Sequence, residues 1–577
     1  MEWLLLVGRL RPGSTLANAQ AELRTLASDP DVTLAAFPAS NAKFWPAYRS
    51  SIGNWLAIFA GAAGLVLLLA CANLSNLLLE RALGRRREIA VRLALGAGRG
   101  RIVRQLLTEN LLLAAPGFLA AVVVARGLQG LLLGFPNAFG IHLAMELTVE
   151  SRVMLFCFAL SLVAAALFGM APSLQATRQD VLPALKESGN TTAASGQAWL
   201  RQGLVVAQVA FSMILLVGGG LFGRSLLRAY RVDLGFRSDH LLAMSFSLPM
   251  QYQGDRAQPF YDGMLRHLAG TPGVESVTLT METPLSPVHS TAQVGTLQVN
   301  YNMVGPEYLR TLGIPLLAGR DFSVRDGRGA AKVAVVNQAL ARLLWNGASP
   351  LGRVLEFQDR PGRVTRVEVV GLARDGRYES IWDGGEPYLY LPAAEWQRPV
   401  ANLLVRTAAP PQGLMSPVRK QWESAAPQVP LYGMQTGEEL LASSVAPQRL
   451  AAGLLGAFGV LAIFLATVGL YSVMAFSVVQ RTREIGIRLA IGARPAAVLR
   501  EVLWKAMAMA GVGVALGGAA SLAVMRLLAS QIHDVSPYDG LTFAVVALLL
   551  AAVSAAAALA PALRASQVDP LRALKYE

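Results

Sequence analysis

Long uncharged apolar runs constrain this chain more than any other feature of its sequence. A membrane-spanning helix needs about 18 to 20 consecutive apolar residues. Six runs without a charged side chain reach that length: 55–79, 153–174, 204–222, 450–479, 506–525 and 541–563. A seventh run, 111–125, reaches it only with its flanks from 102 to 130, which include Glu109 and Arg126. The sequence therefore predicts an α-helical, polytopic membrane protein with about seven membrane helices.

The composition agrees with a membrane protein, and the surroundings of a membrane protein can balance its positive charge. The 577 residues are 54% hydrophobic and 15% charged, with a mean hydropathy of +0.43. The net charge is +14, but anionic lipid headgroups and a cytoplasmic partner are sufficient to balance the arginines that lie between the apolar runs. The sequence therefore predicts a lipid-embedded protein and no nucleic-acid partner.

The arginine distribution predicts the orientation. Residues 80–104 contain eight arginines and residues 480–500 contain five, whereas 127–151 and 527–540 contain no lysine or arginine. Basic loops of membrane proteins stay in the cytoplasm. Both arginine-rich segments and the C-terminus are therefore predicted to be cytoplasmic, with the longest loop on the outer side of the membrane.

The apolar runs and this orientation divide the chain into six predicted parts. In chain order they are an outer piece (1–50), three membrane helices (51–177), a cytoplasmic linker (178–202), one membrane helix (203–230), a large external domain (231–447) and three final membrane helices (448–577).

An internal repeat is the second strong feature. The phrase "RREIAVRLALGAG" at 86–98 returns as "REIGIRLAIGAR" at 483–494, and "APSLQATRQDVLPALKE" at 171–187 returns as "APALRASQVDPLRALKYE" at the end. Several of the shared residues are polar and lie outside the apolar runs, so the general likeness of membrane helices does not explain the match. The sequence therefore predicts a tandem repeat of the three-helix unit.

Each copy of the charged phrase predicts a short amphipathic helix at the inner membrane surface. Glu88 and Arg92 form an i, i+4 pair with the acid first, and Glu484 and Arg488 repeat it. An interfacial anchor explains either copy alone. A docking surface for one kind of cytoplasmic partner also explains why both copies keep the same residues. The residues predicted for that surface are Arg87, Glu88, Arg92, Gly96, Arg483, Glu484, Arg488 and Gly492.

The external domain has a mixed α/β pattern. "DRAQPFYDGMLRHLAGTPGVESVTLT" predicts a helix, a turn and a strand, and "KVAVVNQALARLLW" predicts a strand and then a helix with Asn337 as its N-cap. "RVTRVEVVGLA" and "EPYLYLP" add two strands. The two cysteines, Cys71 and Cys157, fall in membrane runs and are predicted to pack rather than to form a disulfide.

No catalytic, cofactor or metal site is predicted. The histidines have no ligand spacing, and Ser286 and His289 lack a G-x-S-x-G motif and a partner acid. An intramembrane enzyme is disfavoured because the few ionisable residues of the spans lie near helix ends, where snorkelling is the ordinary explanation: Glu109, Arg126, Lys505 and Arg526. None of the six lysines follows a glycine, so the sequence contains no phosphate-binding loop.

These motifs resemble a known family. "RTREIGIRLAIGAR" followed by three membrane runs, with "DPLRALKYE" at the end, resembles the FtsX-like permease domain of MacB-type ABC transporters. "VDLGFRSDHLL", "NMVGPEYLRTLGIPLLAGRDF" and "VAVVNQALARLLWNGASPLGRVL" resemble the MacB-like periplasmic core domain. The resemblance covers essentially the whole chain, and the duplication resembles the orphan permeases that are common in acidobacteria.

The resemblance implies a permease subunit of the bacterial inner membrane, with its large domain in the periplasm. It also implies that the permease carries no substrate through a central channel. It implies that a separate cytoplasmic ABC ATPase drives motion of the periplasmic domain for export or efflux, with 84–104 and 480–500 as the coupling segments. A periplasmic adaptor and an outer-membrane channel are compatible further partners. Two alternatives stay open: an FtsX-like scaffold or sensor that controls an envelope enzyme, and a lipoprotein-release-type permease.

The first repeat begins abruptly. Residues 1–50 match only the end of a core domain, and "MEWLLLVGRLRPG" is too short an apolar run for a signal or an anchor. It fits the last strand of such a domain, with "STLANAQAEL" as the following helix. We therefore expect that this sequence is an N-terminally truncated part of a longer permease. The longer permease is expected to have eight membrane helices and two outer domains.

Overall fold

The computed structural model describes most of the chain. The described residues are 9–11, 13–26, 49–85, 88–89, 91–92, 95, 97–134, 150–177, 191–249, 252, 256–286, 289–326, 329–360, 363–382, 384–393, 400–532 and 534–568. Residues 1–65 and residues 66–577 form two compact units. The first unit contains α1 (Leu16–Leu26), which is the helix expected in "STLANAQAEL", and the beginning of α2 (Arg49–Gly84).

The helices of the first repeat are long and uniformly apolar. After α2 come α3 (Arg99–Gly134) and α4 (Ser151–Thr177), which pack against each other through Phe118 and Phe158 with ring centroids 5.0 Å apart. The next helix, α5 (Thr191–Ala229), begins within the predicted linker 178–202. Because an apolar helix that is already nucleated extends at little cost through residues such as Ala and Gln, the helix continues past the edge of the apolar run.

In its described residues the external domain contains one eleven-stranded sheet and five α-helices. Its strands are β1 (Leu241–Ser247), β2 (Val274–Thr280), β3 (Ser290–Val294), β4 (Leu297–Val304), β5 (Leu316–Gly319), β6 (Val333–Asn337), β7 (Val354–Arg360), β8 (Arg363–Ala373), β9 (Tyr388–Pro392), β10 (Val400–Thr407) and β11 (Leu431–Thr436). Its helices are α6 (Ala257–Ala269), α7 (Tyr308–Leu312), α8 (Gln338–Trp345), α9 (Met415–Ala425) and α10 (Gly437–Ser444).

Four strands form the half of the domain that joins the membrane helices. Their order is β11-β1-β10-β2, all antiparallel, with α6 following β1 and α9 following β10. This is the order of a ferredoxin-like β-α-β-β-α-β unit. Its core lies between the sheet and the two helices, where Trp422 is fully buried against Phe246 with ring centroids 4.7 Å apart.

The other half of the domain is inserted between β2 and β10. Strands β4, β3, β7, β8, β6 and β9 pair in that order, and a parallel pairing of β4 with β9 closes the ring. The inward residues, among them Tyr301, Phe357 and Leu389, form a separate core. Closure leaves few unpaired strand edges in this half.

The sequence predictions for this domain are confirmed where the described residues test them. The helix, turn and strand over 255–280 are α6 and β2. The Asn337 side chain caps α8 by accepting a hydrogen bond of 3.0 Å from the N–H of Leu340. "RVTRVEVVGLA" is β8, and the strand predicted in "EPYLYLP" is β9.

In the described residues after the core domain there are four α-helices: α11 (Ala446–Gln480), the short α12 (Thr482–Ala490), α13 (Pro495–Leu527) and α14 (Gly540–Ser566). Helix α5 packs against α11, α13 and α14, so the second repeat is a four-helix bundle. Among the described residues six helices are long and apolar enough to cross a membrane, and α4 adds a shorter apolar stretch, Ser151–Leu167. The chain is a polytopic α-helical membrane protein. The run at 102–130 is one of these six helices, whereas the span at 153–174 stays a prediction.

Candidate coupling surface

The second copy of the repeated phrase forms α12, which one isoleucine anchors to the bundle. Ile485 is buried against Val478, Val498 and Ala565, the last of these on α14. Glu484 and Arg488 lie on the outer side of the helix, with 2.5 Å between the carboxylate and the guanidinium. The apolar and charged faces of α12 therefore fix how the helix lies on the ends of the membrane helices.

Gly492 ends α12 for a conformational reason. Its φ of +100° is in the left-handed region, which favours glycine. The N–H of Ala493 donates to the carbonyl of Arg488 at 3.0 Å, and the N–H of Gly492 donates to that of Leu489 at 3.1 Å. This pair of bonds is a Schellman motif, which terminates the helix before α13 begins.

Charged residues link α12 to the two membrane helices beside it. Arg488 lies 3.1 Å from the carboxylate of Glu501 on α13, and Lys505, one turn further along, lies 2.7 Å from it. Arg481 at the end of α11 is 3.8 Å from the same carboxylate. We name Arg481, Glu484, Arg488, Glu501 and Lys505 the second charge network. These residues and the apolar side chains below them line a cleft of about 30 Å³.

The first copy builds a similar arrangement, but the two polar residues of its membrane helix are of different types. Arg92 lies 2.5 Å from Glu88 and donates to the amide oxygen of Gln105 at 3.1 Å. Gln105 donates to Glu109 at 3.2 Å, and Arg85 lies 2.8 Å from Glu109. We name these five residues the first charge network. Ile89 is buried here, as Ile485 is in the second copy.

The structure brings together most of the predicted residues and adds others. Glu88, Arg92, Glu484 and Arg488 belong to the two networks, whereas Arg87 and Gly96 lie outside the described residues, and so does the side chain of Arg483.

Six members of the two networks were not predicted as such from the sequence: four were missed and two were explained differently. Arg85, Gln105, Arg481 and Glu501 have the same constant spacing between copies as the repeated phrase, which is the signal that could have found them. Glu109 and Lys505 were attributed to snorkelling, but the structure places both in ion pairs beside the short helix. That explanation is therefore incomplete, because Arg85, just beyond the end of α2, pairs with Glu109, and Glu501, one turn earlier on α13, pairs with Lys505.

Each copy exposes two apolar side chains next to its charged pair. Leu95 and Ile491 occupy equivalent positions and are each 82% exposed. Val91 and Ile487 are equivalent as well, at 43% and 41%. Exposed aliphatic side chains next to an ordered ion pair are suited to a contact with a protein or with lipid, because either contact would remove the apolar groups from water.

A polar junction inside the membrane region was also missed. The Gln208 amide on α5 donates to the Asn73 carbonyl oxygen on α2 at 2.9 Å, and the Asn73 amide donates to the backbone carbonyl of Leu465 on α11 at 2.8 Å. Asn73 and Gln208 are buried, and Gly469 leaves the space that they occupy. Isolated amides in apolar runs were the available signal, since buried polar side chains need partners there.

One statement about the external domain needs correction. The sequence shows no partner acid for His289, yet Glu379 lies with a carboxylate oxygen 3.5 Å from His289 Nδ1. The acid comes from a loop far along the chain, which spacing does not reveal. Within the described part of the chain no cluster of metal-ligating side chains is present.

Family models match most of this chain. The FtsX-like permease C-terminal model matches residues 60–181 and again residues 456–570, and the MacB-like periplasmic core domain model matches residues 203–424. The two permease matches coincide with the two repeats, and each contains one charge network.

Curated relatives agree with these matches. The macrolide export ATP-binding/permease protein MacB of Hahella chejuensis is 27% identical over 49% of this chain and 43% of its own length. The ABC transporter permease YknZ of Bacillus subtilis is 22% identical over 55% of this chain and 79% of its own length. The pyoverdine export ATP-binding/permease protein PvdT of Pseudomonas aeruginosa is 27% identical over 46% and 41%. The chain thus spans less than half the length of the two relatives that include an ATP-binding part.

Two FtsX-like permease regions, a MacB-like core domain between them and a membrane-helical fold lead to one conclusion. This chain belongs to the family of MacB-like and FtsX-like ABC transporter permeases.

Proposed function

We propose that the two charge networks are the docking surfaces through which an ABC ATPase on another chain moves this permease. In this proposal α12 and its counterpart in the first repeat lie in the cytoplasm, as does the C-terminus, and the core domain is periplasmic. Closure of the ATPase pushes the short helices, and the membrane helices transmit the displacement to the core domain. The chain itself does not hydrolyse ATP.

The duplicated geometry is the observation that supports this proposal. Both copies bury one isoleucine, pair one glutamate with one arginine at 2.5 Å and expose two aliphatic side chains. An interfacial anchor needs only apolar residues and positive charge, so it gives no reason for the acid. A protein partner does, because a fixed acid beside an arginine defines orientation and excludes wrong partners.

The connections around α12 support transmission. Its charged face is tied to α13 by Glu501, and its apolar face is packed on α11, α13 and α14. At the far end of α11, helix α10 continues from β11 of the core domain and is fixed by a capping box between Thr436 and Glu439. A displacement of α12 therefore reaches the core domain through one helix and a well-capped joint.

Export or efflux is the proposed process, with the exported compound left open. The similar proteins named above export different compounds, a macrolide in one case and pyoverdine in another. A periplasmic adaptor and an outer-membrane channel belong to this proposal as further partners.

The test is charge reversal in both networks. With Glu88→Arg and Glu484→Arg combined, each docking acid is replaced by a base next to an existing arginine. We expect the ATPase to bind on the order of tenfold more weakly, equivalent to about 1.4 kcal/mol, and permease-dependent ATPase activity in proteoliposomes to fall with it.

Glu423→Arg provides the matched control. Glu423 is an exposed glutamate on α9 of the core domain, so its reversal changes the net charge by as much as either single reversal in the double variant, without touching either network. Co-purification and coupled activity at the control level in the double variant would refute the docking role and leave the interfacial anchor as the explanation.

A further inference from the structure

One buried amide in the membrane region makes no hydrogen bond. Asn76 on α2 is 4% exposed, and among the described residues neither the nitrogen nor the oxygen of its amide has a partner. Asn73, three residues earlier, has a partner for each atom, since it accepts from Gln208 on α5 and donates to the carbonyl of Leu465 on α11. An amide that is buried without a partner costs free energy, so the observed arrangement alone gives no reason for Asn76.

The two asparagines lie on the same face of α2. Residues three apart on an α-helix are neighbours, separated by about 4.5 Å along the axis and about 60° around it. Both lie in the same compact unit as α5 and α11. Leu74 and Leu77, in the same turns, are exposed. Asn76 therefore belongs to the contact of α2 with α5 and α11, which we name the amide seam.

Helices α5 and α11 are held together by close backbone contact. A Cβ at Gly219 on α5 would lie 3.1 Å from the backbone nitrogen of Gly456 on α11, so no side chain separates these turns. Further along, the Ser212 hydroxyl forms a hydrogen bond of 3.2 Å with the carbonyl of Ala462. Such contacts between small residues resist sliding, because each has to break before one helix moves along the other. We therefore treat α5 and α11 as one body.

Helix α2 is held to this pair less extensively. Within the described part of the chain α2 forms none of the long helix contacts that α5 forms with α11, α13 and α14. Beside the two asparagines, its buried face in these turns carries the small residues Cys71, Ala72 and Ser75. Small side chains leave the hydrogen bonds of Asn73 as the directional contact that sets the position of α2 along the pair.

The partners of Asn73 are also suited to Asn76. The Gln208 amide and the Leu465 carbonyl belong to the α5–α11 pair, so they keep their places when α2 moves. A displacement of α2 by about 4.5 Å, with a rotation of about 60°, brings Asn76 to the place of Asn73. One asparagine is then paired and the other is not, as before the displacement. The two arrangements are thus matched in hydrogen bonding, which is the condition for a one-turn shift between packed helices.

We propose that α2 slides by this one step along the α5–α11 pair, so that Gln208 and Leu465 exchange Asn73 for Asn76. We name the arrangement in the structure the Asn73 register and the other arrangement the Asn76 register. Because α2 belongs to the first repeat and α11 to the second, the step displaces one repeat against the other. The amide seam is separate from the two charge networks, so the test does not depend on ATPase docking.

The test measures disulfide formation at position 208 in the full chain in proteoliposomes. Both native cysteines are replaced by Ala, and Gln208→Cys is combined with Asn73→Cys or with Asn76→Cys. Copper phenanthroline is the oxidant, and mass spectrometry of the linked peptides gives the yield. Since a disulfide needs Cα atoms within about 7 Å, both asparagine positions should give at least about fivefold more product than Leu77→Cys on the exposed side of α2.

The asparagine that remains in each pair provides the decisive comparison. With Asn73→Cys, the remaining Asn76 favours the Asn76 register through the Leu465 carbonyl, so adding Asn76→Ala should raise the yield about threefold. By the same reasoning, adding Asn73→Ala should raise the yield of Asn76→Cys. Where Asn76→Ala reduces the amount of monodisperse protein, Asn76→Leu, which is closer to asparagine in volume, takes its place.

A seam that stays in one register gives a different result. The yield at Asn76→Cys would then be no higher than at Leu77→Cys, and the yield at Asn73→Cys would not respond to Asn76→Ala. That result would overturn the proposal and assign the Asn76 amide to a buried water molecule. Absence of the cross-link at Asn73→Cys in every variant would also overturn it, because the contact between α2 and α5 would then not exist in the membrane.

Discussion

The two permease repeats have nearly the same backbone plan and differ in what surrounds it. The second repeat encloses α5, and its positions Leu470, Thr542 and Gly513 are covered. The equivalent positions in the first repeat, Leu74 and Val153 among them, are open. Equal sequence patterns therefore do not guarantee equal burial, because burial of a membrane helix depends on whether its neighbour is present.

The two charge networks also differ in composition, although their geometry is similar. In the first network the acid on the membrane helix is Glu109, and Gln105 lies one turn earlier. In the second the acid has moved to the earlier turn, as Glu501, and Lys505 takes the place of Glu109. Both arrangements hold the arginine of the short helix, so the geometry is kept while the charge changes. We expect the two surfaces to present different fields to a partner.

The largest expected difference between the repeats comes from filling the glycine positions. Gly513→Leu should destabilise the protein by about 3 kcal/mol, because even its Cβ would overlap Val209 and the larger side chain would push α5 away. Gly117→Leu places the same side chain in open space and replaces glycine with a better helix former, so it should be neutral or slightly stabilising. Thermal unfolding in detergent micelles measures both, and equal losses would contradict the stated difference in packing.

A smaller difference is expected at the polar junction, where Asn73 and Gly469 occupy equivalent positions. Gly469→Ala should cost about 2 kcal/mol, because its Cβ would lie 2.2 Å from Gln208 Oε1 and 2.6 Å from Asn73 Oδ1. Asn73→Ala should cost about 1 kcal/mol, since it removes two hydrogen bonds but creates no overlap. The same melting experiment ranks the three variants, with Gly456→Ala on α11 as control, because a Cβ at Gly456 would meet nothing within 4 Å.

The sequence predicted the elements that local pattern controls. The apolar runs predicted the membrane helices, and the alternation of apolar and polar residues predicted β8. An asparagine before a helical pattern predicted the Asn337 cap. It did not predict the closed ring of strands, because the parallel pairing of β4 with β9 joins residues nearly ninety positions apart. The partners of Glu109 and Asn73 were missed for the same reason, since each lies on another helix or several turns away.

The internal repeat could have predicted more residues of the charge networks than it did. Constant spacing identified Glu88 and Glu484, and the same spacing leads from Arg85 to Arg481 and from Gln105 to Glu501. The constant spacing does not show which of two equivalent helix faces, one in each repeat, is covered by another helix. That property depends on α5, which has one copy in the part of the chain that the structure describes.

The smallest expected difference lies at the starts of α4 and α14. Asp539 accepts hydrogen bonds from the hydroxyl of Thr542 at 2.6 Å and from its N–H at 3.0 Å, and it pairs with Arg224. Chiefly the Thr542 hydroxyl, together with its N–H and the Arg224 guanidinium, holds the pKa of Asp539 below its usual range. Asp539→Asn keeps a good N-cap but loses the ion pair, so it should cost up to about 1 kcal/mol at neutral pH.

The sign of the pH dependence follows from the lowered pKa. The ionised Asp539 stabilises the folded chain fully above the ordinary aspartate pKa of about 3.9, and this contribution is lost as pH falls through the lower folded value. The stability difference between wild type and Asp539→Asn should therefore be constant from pH 7 to about pH 5 and shrink in more acidic solution. Glu150→Gln, the equivalent change in the first repeat, should leave the stability at neutral pH within about 0.5 kcal/mol of wild type, because Glu150 is exposed and has no ion pair among the described residues. A difference for Glu150→Gln as large as that for Asp539→Asn would mean that the two helix starts are in equivalent surroundings, and the contrast between the repeats would fail at this end of the membrane helices.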